Sequence, residues 1–224
     1  MRRRLLLMSL LVAVVGGAVW YLAGRRTAPL IELIRPADNS EEAFAKWLRD
    51  DPARREGFDE FSGFLAEHGV SGVVPDWQLL RTDSKTWRDC ERSTFLLPPQ
   101  DKWANIVPAL ELVRDHVVPR LGRLEVMSAY RPPELNACIK GASRSRHLSF
   151  HALDLVAPEQ PDKPAMFAEL CAIHKQLGPR SHMGLGAYFD PAKPVGNGQF
   201  HIDAAGYRSW GYSYGHESSG CNLL

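Results

Sequence analysis

Cysteine is scarce in this chain of 224 residues: Cys90, Cys138, Cys171 and Cys221 are the only four, and no two form a CxxC pair. That spacing argues against a cysteine-built structural zinc site. In an oxidising compartment the four would supply one or two disulfides, with three complete pairings open to them and buried thiols as the alternative. No internal repeat and no low-complexity tract is present, so one main domain with a sizeable core is expected. A basic surplus is missing as well. The formal net charge is +1, and setting aside the five arginines at 2–4, 25 and 26 takes the 27 basic residues to 22 against 26 acidic ones, a net of about −4. Such a balance argues against a nucleic-acid partner.

One long apolar run exists. Met1-Arg2-Arg3-Arg4 precedes residues 5–24, which are interrupted only by Ser9 and glycines. About 20 such residues suffice to cross a bilayer as a helix, and Trp20 and Tyr21 fall where an interfacial aromatic belt belongs. Gly16-Gly17-Ala18 offers only a weak cleavage site, and no cysteine is placed for lipid attachment. We read residues 1–26 as an uncleaved membrane anchor, a cleaved signal being the alternative. The larger basic cluster precedes the run, which puts the remainder of the chain outside the cytoplasm. Residues 27–94 are read as a tether and a helical part packing on the core, and residues 95–224 as the main domain.

Asn39-Ser40-Glu41-Glu42 offers a capping box, followed by Phe44, Trp47 and Leu48 on one helical face. A second helix is expected over residues 58–67, a strand over 74–81, and a helix capped by Asn105 in which Ile106, Leu110, Val113 and Val117 recur. Residues 124–129 read as a strand with Arg131 at its exit. Asp162 and Pro164 open another helix that Gly178 closes. Helices mingled with short strands indicate an α+β fold.

The chemistry concentrates in Ser145-Arg146-His147-Leu148-Ser149-Phe150-His151-Ala152-Leu153-Asp154. Residues 151–156 read as a strand carrying Asp154, with His147 on the turn that leads into it. Gln199-Phe200-His201-Ile202-Asp203 reads as another short strand with His201 and Asp203 on one side. Two imidazoles and a carboxylate are the donors of a catalytic Zn²⁺ site that leaves its fourth position to water.

At these residues the chain resembles the D-alanyl-D-alanine metallopeptidase superfamily, whose fold is shared with hedgehog-type zinc domains. Ser145, His147, Ala152 and Asp154 fit its SxHxxGxAxD signature, while Phe150 stands where glycine is usual. Ser128-Ala129-Tyr130-Arg131, then Asn136 and Gly141, are similar to its SxYR segment. Gly184-Leu185-Gly186-Ala187-Tyr188, Phe200-His201-Ile202-Asp203 and Arg208-Ser209-Trp210 are similar to pieces of its peptidoglycan-trimming branch. The resemblance covers roughly residues 95–212, with the parts in the expected order.

What the resemblance implies is a small antiparallel sheet flanked by helices, with Zn²⁺ held by His147, Asp154 and His201. It further implies that Arg131, Tyr130 and Ser145 contact substrate, with Arg131 binding a carboxylate or steadying an oxyanion. The activity implied is hydrolysis of peptide bonds in bacterial peptidoglycan stem peptides, of carboxypeptidase or endopeptidase type, by an enzyme anchored in the inner membrane and facing the periplasm. Relatives place Glu three residues, or His two residues, before the last histidine ligand; here those positions are Gly198 and Gln199. Asp203 is then either the proton carrier or a group orienting His201. His151 and His182 are further candidates. A non-catalytic zinc-containing module that binds cell wall is the alternative.

Overall fold

Asp51-Pro52 starts the first long helix, Pro52–Glu67: the Asp51 side chain accepts from Ala53 N at 3.0 Å, and proline occupies a first-turn position whose N–H has no partner to lose. The helix therefore begins six residues ahead of the expected 58. Phe61 and Leu65, four apart, are its fully buried pair. The computed structural model describes residues 38–82, 90, 93–192 and 198–224. The expected membrane span at 5–24 lies outside the described residues, and among those no helix is long and apolar enough to cross a membrane.

Contacts divide the chain into two compact units, Met1–Ala43 and Phe44–Leu224. In the first, Ser40 Oγ accepts from Ala43 N at 3.1 Å, the capping contact expected there. In the second, Phe44 packs among Phe58, Trp77 and Phe95, with ring centroids 5.0–5.6 Å apart. Residues 74–81 do not form the expected strand. Pro75 leads into a 3-10 helix, Asp76–Leu80, and only Arg81 makes an isolated bridge, to Phe95. Asn105 likewise does not cap a helix. It lies within the 3-10 segment Gln100–Ile106, and its Nδ2 donates to Ser149 O at 2.9 Å, tying this segment to the turn that carries His147.

Five strands form one sheet: β1 (Glu125–Ser128), β2 (Ala152–Val156), β3 (Gly184–Ala187), β4 (Phe200–Asp203) and β5 (Arg208–Trp210), in the order β1-β2-β4-β3-β5. The fold is α+β, as expected. The sheet is mixed rather than antiparallel, because β5 runs parallel to β3 while the other pairings are antiparallel. Side chains alternate across the pleat, so Leu153, Leu155, Leu185, Ala187, Phe200 and Ile202 share the core face, every one fully buried. Burial of a side chain the size of Phe200 contributes up to about 3 kcal/mol. The helix Lys163–Leu177 is capped by Asp162, which accepts from Ala165 N at 3.0 Å, and stopped by Gly178 at φ 64°.

The opposite face of the sheet holds the polar residues in two rows. Ser128, Asp154, His201, Gly186 and Trp210 are successive register partners across all five strands. Asp203, Gly184 and Arg208 form the adjoining row. A bulge between Val126 and Ser128 brings Ser128 into the first row.

Candidate metal centre

Asp154 and His201 sit on neighbouring strands as direct register partners, which fixes their side chains side by side. His147 arrives from the 3-10 turn Arg146–Ser149, whose first exposed N–H groups are met by Ser145: its Oγ accepts from His147 N at 3.4 Å. One donor atom from each of His147, Asp154 and His201 lies within 4.8 Å of the others, and all three residues are buried. His147 Nε2 is 3.2 Å from His201 Nδ1 and 3.3 Å from Asp154 Oδ2, and His201 Nδ1 is 3.1 Å from Asp154 Oδ1.

The outward nitrogens decide what those inward atoms can do. His147 Nδ1–H donates to Ala129 O at 2.6 Å, and His201 Nε2–H donates to Asp203 Oδ2 at 2.9 Å. With those tautomers assigned from their partners, His147 Nε2 presents a lone pair inward, and His201 Nδ1 does so once the proton it shares with Asp154 Oδ1 is given up. Three acceptors converging in a buried space form a receptor for a cation, and the anchored outer nitrogens are the orienting contacts metal-binding histidines need.

Electrostatics separate the two imidazoles. Burial, reinforced by the Arg131 charge, pushes the His147 imidazole down to about 4, so it stays neutral. Burial also opposes charge on His201, yet its bonds to Asp154 and Asp203 prevail and raise it above the ordinary histidine value. Burial favours a neutral Asp154, but His147 and Arg131 outweigh it and hold the carboxyl well below the usual range.

Arg131, at the exit of β1, is 8% exposed; its Nη2 donates to Asp154 Oδ2 at 2.5 Å and its Nε to Ser128 Oγ at 3.0 Å. It lines an open cleft of about 1320 Å³ that also contains all three converging residues. Ser145 and the 141–149 loop form one wall. Asn136 shapes that loop, its Nδ2 donating to Ala142 O at 3.0 Å, and Gly141 leaves no room for a Cβ against the same amide.

Other expected residues fall elsewhere. Tyr130, expected to contact substrate, is not among the cleft-lining residues: it is 6% exposed and packs edge-on against Phe150, so it serves the core. Asp203 stands behind His201, fully buried. Arg208 Nη2 donates to its Oδ2 at 2.7 Å, Arg208 Nη1 to its Oδ1 at 3.1 Å and Ala205 N to its Oδ1 at 2.8 Å. Burial acts to raise this carboxyl, and the bond from His201 leads the effects that take it far below its usual value. A carboxylate so engaged orients His201 and is turned away from the cleft, which leaves no place for it as proton carrier. His151 bonds to Ser149 Oγ at 2.9 Å, and neither it nor His182 lines the cleft.

Phe150, in the position where glycine is usual, keeps a glycine's backbone: φ is 58° and ψ is 38°. Its ring is fully buried near Phe61 and Tyr130. Packing thus offsets the left-handed strain of about 1–2 kcal/mol. The glycines of β3 have a different task. A Cβ on Gly184 would lie 2.6 Å from Arg208 Nη1 and 2.7 Å from both Asp203 oxygens, and one on Gly186 would lie 2.8 Å from His201 Cβ.

Sequence reasoning missed the outer wall. Tyr212, Tyr214 and His216 line the cleft, the first two 54% and 63% exposed, in a segment with no motif to mark it. Asn222 Nδ2 donates to His216 Nδ1 at 3.1 Å.

A family model described as Peptidase M15 matches residues 83–186, a little under half of the chain. The matched segment includes Arg131, His147 and Asp154 and ends before His201. No curated protein and no solved structure provides a match.

Proposed function

We propose, from the Peptidase M15 family model that matches residues 83–186 and from the site it overlaps, that this chain is a zinc-dependent peptidase that hydrolyses stem peptides of bacterial peptidoglycan. The observation that carries the metal assignment is the convergence of His147 Nε2, Asp154 and His201 Nδ1 while both outer imidazole nitrogens are tied to fixed acceptors. Two nitrogens and one oxygen are a donor set that suits zinc, and all three residues line the cleft. When bound, the ion would polarise a carbonyl and lower the pKa of water.

The remaining work falls to the chain. Arg131 lines the cleft with Nη2 on Asp154 and Nε on Ser128, which leaves Nη1 for a substrate carboxylate or for charge growing on the scissile carbonyl. Ser145 holds the His147 turn, and Asp203 with Arg208 holds the ring of His201. The peptidoglycan substrate rests on the resemblance of the motifs. The anchor at residues 5–24 would keep the domain at the inner membrane, facing the periplasm. Two disulfides, Cys90–Cys138 and Cys171–Cys221, support an oxidising location.

One observation favours a second reading, a zinc-containing module that binds cell wall without cutting it. Among the described cleft-lining residues Asp154 is the sole carboxylate, and Gln199 occupies a position where relatives carry a histidine. Incubating the purified full-length chain with muropeptides, with and without a chelator, separates the two by mass analysis. Chelator-sensitive loss of D-alanine or opening of cross-links supports the peptidase, and intact muropeptides retained by the protein support the binding module.

A further inference from the structure

Tyr188 continues the alternation of β3, so that residues 184, 186 and 188 point to the polar face of the sheet. Its phenol lies over Gly186, where a Cβ would come within 2.9 Å of the Tyr188 hydroxyl oxygen, and Gly186 is the register partner of His201. Trp210 Nε1–H donates to that oxygen at 3.2 Å, and the Trp210 ring centroid is 5.0 Å from that of His201. An indole N–H can only donate, which fixes the direction of the bond. The phenolic proton of Tyr188 must therefore point elsewhere. Among the described residues it has no acceptor, and the side chain lines the cleft.

The rows of the sheet show what that proton faces. Arg131, held by Ser128, flanks the ligand set on the Asp154 side, and Tyr188, held by Trp210, flanks it on the His201 side. A carbonyl brought to the centre would meet a guanidinium from one flank and a hydroxyl from the other. We propose that Tyr188 is a catalytic residue whose phenolic O–H donates to the oxyanion that develops on the scissile carbonyl, opposite Arg131. The hydroxyl donates throughout the neutral range and need not give up its proton. The proposal rests on the peptidase reading above and adds a residue that the motif resemblance leaves without a role.

Tyr188→Phe removes the hydroxyl and keeps the ring. In the zinc-loaded full-length protein, the variant is expected to lower kcat by about 10²-fold with KM changed by less than about threefold. Zinc stoichiometry should be unchanged. Affinity for a phosphinate pseudopeptide, whose tetrahedral oxyanion imitates the transition state, should fall with kcat, whereas affinity for the product peptide should not. A kcat within about twofold of wild type, or a loss confined to KM, overturns the assignment. Should the wild type cut no peptide, the peptidase reading fails by itself, and equal phosphinate affinity of wild type and Tyr188→Phe would then overturn the donor as well.

Discussion

His147, Asp154 and His201 supply three acceptor atoms to one point, so loss of any imidazole leaves two donors and an open shell. His147→Ala and His201→Ala are expected to lose stoichiometric zinc uptake, measured by metal analysis after dialysis. Arg131→Ala should retain the ion and lower kcat/KM by about 10²- to 10³-fold. Asp203→Asn should weaken zinc by about 10- to 100-fold through the loosened ring of His201. The pH dependence has a definite sign. His201 is raised above its ordinary value, and its proton competes with the ion, so zinc affinity should climb with pH until that proton is gone. His147, pushed down to about 4, contributes no such slope near neutrality. Calorimetry in buffers of differing ionisation enthalpy should register net proton release on zinc binding, diminishing as pH rises; no release at any pH would contradict a raised His201. At this scale the convergence of His147, Asp154 and His201 was legible because each residue sits in a short motif. The place of Tyr130 was not, since the turn after β1 decides which of two adjacent side chains enters the core. Phe150→Gly, which restores the familiar signature, should destabilise the fold by about 2–4 kcal/mol, because the lost packing of a buried aromatic exceeds the strain relieved.

The glycines of β3 act on behalf of their neighbours. Gly184→Ala would press a methyl group against the Asp203–Arg208 pair and should impair zinc affinity as Asp203→Asn does, with chelator competition as the measurement. Strands β2 and β4 were legible from alternation, and the helix Lys163–Leu177 from Asp162, Pro164 and Gly178. The segment at 74–81 was misread because its apolar residues satisfy a 3-10 turn as well as a short strand, and Pro75 tipped the balance. The parallel pairing of β3 with β5 left no local trace, since strand direction depends on how the chain crosses the sheet and not on side-chain period.

Across the domain, Cys90–Cys138 and Cys171–Cys221 close loops of similar length, with sequence separations of 48 and 50. Sequence left three pairings open because only the fold brings particular sulfurs together. Each bridge should stabilise by about 2–4 kcal/mol through the unfolded chain. Reduction should therefore lower Tm in calorimetry, and alkylation after reduction should hold it there. Lastly, Asp154 and His201 are 47 residues apart in sequence and become neighbours only once β2 and β4 have paired. An unfolded chain accordingly contains nothing that would capture zinc tightly, and a substantial apolar core exists to fold without it. The ion should be a late arrival that consolidates a chain already in shape, in contrast to small fingers whose folding waits for their metal.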